Sequence, residues 1–213
     1  MRYNMNERNK IHSYGELAVS DKKEKIYACG RELFEERGFK DTNVAEIMKR
    51  AGMATGTFYR YYASKDQLFM EIYNDENVKL KKKVLASLNL NAEPLAVMKE
   101  MTQKNLAGMT AHPILREWYN RDVFQRIERA FREENGAARV DFLYDSFIDI
   151  VRLWQKEGKM RCDIPAETIM AMFGALVNVE MHKEEIGLAY FPQVIEYLAA
   201  FTMQGLTQTP AQG

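Results

Sequence analysis

Residues 41–69 read DTNVAEIMKRAGMATGTFYRYYASKDQLF, and this stretch decides the fold. Thr42 is a candidate N-cap, because threonine oxygens accept hydrogen bonds from the first free N–H groups of a helix. The apolar residues that follow have the three-and-four spacing of one buried helical face: Val44, Ile47, Met48 and Ala51. Gly52 then stands where a tight turn needs a residue without a Cβ atom. The pattern predicts a short helix, a turn and a second helix.

The second helix, at about residues 55–61, has an unusual outward face. Phe58 and Tyr62 are four residues apart and face inward, which leaves hydroxyls, one cation and a glycine outside. Such groups suit contact with phosphate oxygens and base edges of DNA. Ser64 and Gln67 have the spacing of a capping box and predict the start of a third helix. The stretch therefore indicates a helix-turn-helix.

The pattern resembles the DNA-binding domain of the TetR family of bacterial transcriptional regulators. The resemblance covers about residues 22–72 and is carried by Thr42, Val44, Ile47, Ala51, Gly52, Gly56, Thr57, Phe58, Tyr59, Tyr62, Ser64, Lys65 and Leu68. It implies a dimeric, all-helical repressor whose second half binds a small ligand. Ala54 departs from the family pattern, which usually has a serine or a similar cap there.

The resemblance also implies which residues contact DNA. The implied phosphate contacts are Thr42, Thr57, Tyr59, Tyr61 and Lys65. The residues nearest to base edges are Thr55, Gly56 and Arg60. Arg60 suits either a bidentate contact with guanine or a phosphate contact. Because a helix-turn-helix dimer presents two such faces, the expected operator is nearly palindromic.

Charge differs between the two halves of this chain of zero net charge. Residues 1–83 carry 17 Lys and Arg against 13 Asp and Glu, and residues 84–213 carry 13 against 17. This asymmetry is expected if only the first half meets phosphate, with chance as the alternative. Cys29 and Cys162 fit no CxxC pattern, and no apolar run reaches the roughly 20 residues of a membrane span. We therefore expect a reduced, cytoplasmic protein with no membrane partner.

The chain is expected to have four parts. Residues 1–20 are predicted to be a mobile arm, either reaching a minor groove or simply disordered. Residues 21–75 form the DNA-binding domain, whose first helix runs from about Asp21 to Arg37 and ends at Gly38. Residues 76–207 form a helical domain for ligand binding and dimerisation, entered by a helix from Ser64 to about Leu88. Residues 208–213 are a tail.

The second half is rich in aromatic and thioether side chains that suit an apolar pocket. Plain core packing is the alternative for each of them. The resemblance implies that some line a ligand cavity, and three polar groups lie among them. The candidates are Met98, Met101, His112, Arg116, Trp118, Tyr119, Tyr144, Phe147 and Asn178. We expect a small apolar or aromatic effector and no cofactor.

The last two long helices are candidates for the dimer contact. The first opens near Asp163 as an N-cap and is apolar around most of its circumference, so it needs cover on all sides. The second runs from about Pro192 to Leu206. Two such helices from each of two chains would form the four-helix bundle usual in the resembled family. The interface candidates are Ile169, Phe173, Leu176, Val177, Ile195, Leu198 and Phe201.

Two other function classes remain open from the residues alone. In an enzyme, His12, His112 and His182 would be candidates, but they lie in no HExxH pattern and no Gly-rich phosphate loop is present. A cluster near the end of a helix offers metal-ligating atoms, with a solvated helix end as the alternative; its members are Glu180, His182, Glu184 and Glu185. The outward face of residues 55–61 argues against a purely structural helical module.

Overall fold

A computed structural model of the protein describes residues 5–120, 123, 125, 126, 129, 141–187 and 189–207. Side chains are described from residue 21 onward, except at 141–146, 177, 180, 181, 183, 184 and 192. The first elements are α1 Met5–Arg37, α2 Val44–Ala51, a 3₁₀ helix Thr55–Arg60, α3 Lys65–Ala86, α4 Pro94–Ala111 and a 3₁₀ helix Leu115–Tyr119. They are followed by α5 Asp141–Lys156, α6 Ala166–Met181, α7 Lys183–Ile186 and α8 Phe191–Thr207. The predicted all-α fold class is confirmed.

Two compact units make up the chain. Unit 1 comprises Met1–Glu76 and Thr110–Glu134, and unit 2 comprises Asn77–Met109 and Asn135–Gly213. Unit 1 thus contains a segment that lies far beyond residue 75 in the sequence. The predicted assignment of DNA binding to residues 21–75 and of ligand binding and dimerisation to residues 76–207 stays a prediction. None of the described helices has the length and apolar character that crossing a membrane requires.

Helix α1 begins at Met5, so the expected start near Asp21 was wrong. Residues 5–20 have no amphipathic period and so no apolar face to pack on a core, but this does not prevent them from forming a helix. No proline interrupts the segment, and a single glycine such as Gly15 costs a helix only about 1 kcal/mol. Helical backbone therefore extends through most of the expected arm, whose mobility stays a prediction.

Local signals around the helix-turn-helix are mostly confirmed. Gly38 and Gly52 have φ of 79° and 69°, the left-handed conformation that glycine adopts without strain. The Ser64 hydroxyl accepts a hydrogen bond from the Gln67 N–H (3.2 Å), and Gln67 Oε1 accepts one from the Ala63 N–H (2.7 Å). This is a capping box shifted by one residue at its second bond.

The expected cap of α2 was wrong by one residue. Asn43 is the N-cap, because its side-chain oxygen accepts from the Glu46 N–H at 2.9 Å. The Thr42 hydroxyl instead lies against the carbonyl oxygens of Gly38 (2.8 Å) and Leu33 (3.2 Å). Thr42 therefore fastens the loop between α1 and α2, and the next residue caps the helix.

The core of unit 1 is aromatic and closed. Phe34, Phe39 and Phe69 contact one another, with ring centroids 4.9–6.1 Å apart. Aliphatic, thioether and further aromatic side chains complete it, and each fully buried one stabilises the fold by about 1.5–3 kcal/mol. They include Ile26, Leu33, Ile47, Met48, Phe58, Tyr62, Leu68 and Ile72.

Unit 2 has a separate core on α4, α5, α6 and α8. Its fully or nearly buried members are Val97, Ile148, Ile150, Val151, Trp154, Met160, Ala166, Ile169, Met170, Met203 and Leu206. The Trp154 indole N–H donates to the Leu90 carbonyl at 3.3 Å. Gly108 lies in the last turn of α4, packed on Leu80. One sequence expectation fails here, because Asp163 pairs with Arg161 ahead of α6 instead of capping it.

Candidate nucleic-acid interface

The helix-turn-helix is formed by α2, the turn at Gly52 and the 3₁₀ helix Thr55–Arg60. The Met53 N–H donates to the Met48 carbonyl at 2.9 Å, which fixes the turn. Ala54 supplies no side-chain cap, and the second helix starts at Thr55 as a 3₁₀ rather than an α-helix. Phe58 and Tyr62 are buried with ring centroids 5.6 Å apart, as their four-residue spacing predicts. They anchor this short helix to the core.

The opposite side of the 3₁₀ helix forms a reading face, which we define as Thr55, Gly56, Tyr59 and Arg60. All four are exposed, and Tyr59 is 61% exposed although its side chain is large and aromatic. Thr57 and Tyr61 beside them are partly exposed. A Cβ added at Gly56 would meet no atom within 4 Å, so open space lies before this glycine. Hydroxyls, an amphipathic ring and a guanidinium therefore share one accessible surface.

Two of the eight expected DNA contacts have other roles in the structure. Thr42 is 1% exposed and its hydroxyl points to loop carbonyls, so its side chain does not face outward. Lys65 Nζ donates to the carbonyl oxygens of Phe39 and Thr42, both at 2.6 Å. Burial, and then the charge of Arg126, lower the pKa of the Lys65 ammonium. Lys65 thus holds the loop between α1 and α2 whether or not it also meets a phosphate.

Polar contacts between α1 and α3 support the helix-turn-helix from behind. Three pairs join the two helices at 2.8–2.9 Å: Lys23 with Glu71, Tyr27 with Asp75, and Arg31 with Glu76. Burial, followed by the hydrogen bond to Asp75, raises the pKa of the Tyr27 phenol. These contacts link consecutive turns of both helices and so restrain the angle between them.

Sequence reasoning missed two residues of this region. Glu117 is nearly buried and accepts a hydrogen bond from the Phe39 N–H at 3.3 Å. Arg126 forms a bidentate pair with Asp66 at 2.8 and 2.9 Å. Both lie at least 60 residues from their partners in the chain, so no local pattern could reveal the contacts.

The nine expected ligand residues are divided between the two units. His112, Arg116, Trp118 and Tyr119 belong to unit 1, and the other five belong to unit 2. His112 Nε2 lies 3.4 Å from Glu76 Oε2, and the Trp118 ring stacks on Tyr73. In unit 2, Met98 and Phe147 pack against the core, while Asn178 is exposed and donates to the Gly174 carbonyl. Met101 is partly buried, and the side chain of Tyr144 lies outside the described residues.

The expected dimer residues include one that the structure places elsewhere. Ile169 is fully buried in the core of unit 2, so its side chain is unavailable to a second subunit. Phe173 also packs on that core. Phe201 and Leu198 on α8 are 63% and 38% exposed, and Leu176 and Ile195 are partly exposed. The side chain of Val177 lies outside the described residues.

The alternative metal cluster is only partly described. His182 Nδ1 lies 3.2 Å from Glu185 Oε2, and both side chains are exposed. The side chains of Glu180, Glu184 and His12 lie outside the described residues. Among the side chains that the structure does describe, no group of three or more His, Cys, Asp or Glu converges as metal ligands would.

A family model and two curated regulators match part of this chain. The family model for bacterial regulatory proteins of the tetR family matches residues 26–72. The uncharacterised HTH-type transcriptional regulator YdgC of Bacillus subtilis is 35% identical over 81 residues, which are 37% of this chain and 41% of the relative. The HTH-type transcriptional regulator QacR of Staphylococcus aureus is 37% identical over 57 residues, 27% of this chain and 30% of the relative. The matched part thus spans less than half the length of these curated relatives.

Solved structures extend the similarity of fold to most of the chain. RolR in complex with resorcinol superposes with a TM-score of 0.62 at 15% identity, covering 89% of each chain. Thermus thermophilus FadR, a TetR-family repressor in complex with lauroyl-CoA, gives 0.56 at 24% identity, covering 90% of this chain and 99% of that one. Identities this low indicate a shared fold and leave the ligand open. Residues 26–72 thus match the segment that defines the TetR family of bacterial regulatory proteins, and the chain shares its fold with a solved TetR-family repressor over 90% of its length.

Proposed function

We propose that the protein is a cytoplasmic, homodimeric transcriptional repressor, and not an enzyme. In this proposal it binds a nearly palindromic DNA operator, and a small apolar or aromatic ligand releases it. The observation that carries the proposal is the reading face, which exposes Tyr59 and Arg60 on a helix held rigidly by buried Phe58 and Tyr62. Such a face resembles the base-contacting side of a recognition helix in a helix-turn-helix protein.

The DNA contacts follow from what is exposed. Arg60 is placed for a guanine or a phosphate, and Thr55 and Gly56 stand at the start of the same helix, where base edges come closest. Thr57, Tyr59 and Tyr61 carry hydroxyls suited to phosphate oxygens. Lys65 can donate its third N–H to a phosphate while it holds the two loop carbonyls. Thr42 would contribute through its backbone rather than its buried side chain.

A duplex selection experiment tests the DNA-binding proposal. The purified protein selects from random-sequence duplexes and from DNA upstream of its own gene, and the selected duplex is then titrated in a mobility-shift assay against scrambled competitor. Arg60→Ala should lower the slope of log affinity against log salt by roughly 1 if Arg60 binds phosphate, or relax the preference at one base pair if it binds guanine. Arg152→Ala, which removes an exposed arginine of unit 2, is the matched control. A wild-type protein that prefers no duplex would contradict the proposal.

Dimerisation is supported by the apolar surface of α6 and α8. Met172 on α6 and Tyr197, Leu198 and Phe201 on α8 are all exposed, and the rings of Tyr197 and Phe201 stack at 5.9 Å. Large exposed apolar side chains grouped on neighbouring helices are typical of protein interfaces. A second copy would cover them in a four-helix bundle, and the two-fold symmetry would present two reading faces to adjacent major grooves.

Ligand response is supported by the nature of similar proteins. RolR binds resorcinol and Thermus thermophilus FadR binds lauroyl-CoA, and both share this fold. The tested ligands should therefore include small phenols and acyl-CoA thioesters. If ligand favours a conformer in which α3 tilts and separates the two reading faces, operator affinity falls by about 5- to 150-fold, and DNA weakens ligand binding by the same factor. A ligand that binds tightly but leaves operator affinity unchanged would rule out this coupling.

A further inference from the structure

The loop between α1 and α2, residues 38–43, determines where the helix-turn-helix begins. It starts at Gly38, whose left-handed conformation ends α1, and it finishes at Asn43, the N-cap of α2. Since α2 is followed directly by the turn and the reading face, a displacement of this loop displaces both. The contacts that hold the loop are therefore relevant to DNA binding.

Glu117 contacts this loop from a distant part of the sequence. Its Oε1 accepts the Phe39 N–H at 3.3 Å, and it would lie only 2.7 Å from a Cβ added at Gly38. Its Oε2 accepts from the Asn120 side-chain amide at 2.7 Å. Glu117 is 8% exposed, and a carboxylate this buried is costly unless such hydrogen bonds satisfy it. The buried Glu117 carboxylate and the buried Phe39 N–H thus satisfy each other's hydrogen-bonding requirement.

Arg126 contacts the side chain of Phe39 in the same loop. Its guanidinium lies over the Phe39 ring, 5.0 Å from the centroid, while Lys65 Nζ lies 4.2 Å from it. Arg126 also pairs with both carboxylate oxygens of Asp66 in the first turn of α3. Asp66 balances two cations that would otherwise repel each other. Arg126 therefore links the loop to the residue pair that starts α3.

We propose that Glu117 and Arg126 are positioning residues for DNA binding. Both lie outside the segment 26–72 that matches the family model, yet both belong to unit 1 with it. They act through Phe39 and Asp66, holding the loop and the start of α3 in the conformation that presents the reading face. The proposal rests on the proposed DNA-binding function. Without these contacts only a fraction of molecules has a competent conformation, and the apparent Kd rises by the inverse of that fraction.

The test compares four variants of the full chain on the duplex selected by the wild-type protein. Glu117→Ala should raise Kd about tenfold with an unchanged salt slope, because it reduces the competent fraction and removes no phosphate contact. Glu117→Gln keeps an oxygen that can accept the Phe39 N–H, so it should restore most of the affinity. Arg126→Ala should raise Kd about threefold, again with an unchanged slope. Arg152→Ala, which removes an equally exposed and ion-paired arginine, should change nothing.

Amide hydrogen exchange gives a readout that is independent of DNA. Glu117→Ala should speed exchange at Phe39 and its loop neighbours while Glu117→Gln should not. Faster exchange in Glu117→Ala with an unchanged Kd would overturn the positioning role. A salt slope lowered by about 1 in Arg126→Ala would show that Arg126 contacts a phosphate directly. If Glu117→Ala does not fold, the exposed Arg126→Ala decides the matter: a Kd equal to wild type in that variant overturns the proposal. A wild-type protein that selects no duplex removes the proposed function, whereas a binding wild type with unaffected variants removes only this inference.

Discussion

Phe58 on the 3₁₀ helix of unit 1 and Phe201 on helix α8 of unit 2 lie in opposite environments. Phe58 is completely buried against Tyr62, whereas Phe201 is 63% exposed and stacks on Tyr197, which is 60% exposed. Since burial of a phenylalanine contributes about 1.5–3 kcal/mol, the first ring stabilises the folded chain and the second does so only if something covers it. A single chain buries Phe58 completely but leaves Phe201 uncovered.

This difference indicates where each part obtains its stability. The helix-turn-helix is held by its own core, its caps and long-range polar contacts such as Glu117 with Phe39, so a single chain suffices to define it. The surface of α6 and α8 leaves large apolar side chains exposed in one chain, as is usual for a subunit interface before assembly. Reading DNA requires a rigid surface, and assembling a dimer requires an uncovered one.

Phe58→Ala is expected to have the largest effect, because it empties the centre of the helix-turn-helix. Truncating a fully buried phenylalanine typically costs about 3–5 kcal/mol. We expect a lower thermal unfolding temperature and loss of selected-duplex binding even below that temperature, since the reading face loses its anchor. Phe58→Leu, which refills much of the space, should recover most of the stability. Full DNA affinity in Phe58→Ala would show that this anchor is dispensable.

Gly38→Ala should have the next largest effect, at about 2 kcal/mol. The alanine would have to adopt a φ near 79°, which costs an L-residue about 1–2 kcal/mol, and its Cβ would press on Glu117 Oε1. Chemical denaturation measures the change in the free energy of unfolding. Gly174→Ala in α6 is the control, because its added Cβ meets no atom within 4 Å and helix propensity favours alanine by about 1 kcal/mol. Equal effects at the two glycines would show that neither φ nor crowding matters at residue 38.

Features that depend on neighbours in the sequence could be predicted without a structure. The turn at Gly52, the end of α1 at Gly38, the cap at Ser64 and the inward pair Phe58 and Tyr62 are all confirmed, because each follows from spacing or from the conformational freedom of one residue. The outward direction of Tyr59 and Arg60 follows from the same periodicity. The part of the candidate site that lies on the 3₁₀ helix could therefore be predicted from the sequence.

What the sequence did not reveal depends on contacts between distant residues. The Thr42 hydroxyl could either cap α2 or donate to nearby carbonyl oxygens. Because the Leu33 and Gly38 carbonyls lie close to it, it donates to them and does not cap the helix. The approach of Glu117 to Phe39 spans 78 residues and has no local signature. Ile169 has the same apolar character as the exposed members of α6 and α8, so only the packing of unit 2 shows that it faces the core.

Alkaline pH should weaken the contact between α1 and α3 through Tyr27. Its pKa is raised in the folded protein, chiefly by burial, so the neutral phenol is favoured there; an unfolded tyrosine ionises near pH 10. The stabilisation is therefore complete below about pH 10 and is lost above it, at no more than about 1.4 kcal/mol per pH unit, because solvent screens this partly exposed group. Tyr27→Phe should reduce the slope of unfolding free energy against pH by that amount. An unchanged slope would mean that the folded protein does not favour the neutral Tyr27 phenol.

Phe201→Ala should have the smallest effect on the folded chain and a clear effect on assembly. Removing an exposed ring changes the stability of unit 1 by no more than about 0.5 kcal/mol, so hydrogen exchange in α1–α3 should match the wild type. If α8 forms the dimer contact, the dimer loses the burial of this ring from both subunits, and its dissociation constant should rise by at least about tenfold. Sedimentation over a dilution series measures that constant. Tyr190→Ala removes a ring that is 69% exposed just before α8 and serves as the control. Equal dimer affinities in the two variants would place the interface elsewhere. Burial by a second subunit would then no longer explain why Phe201 is exposed in one chain while Phe58 is buried.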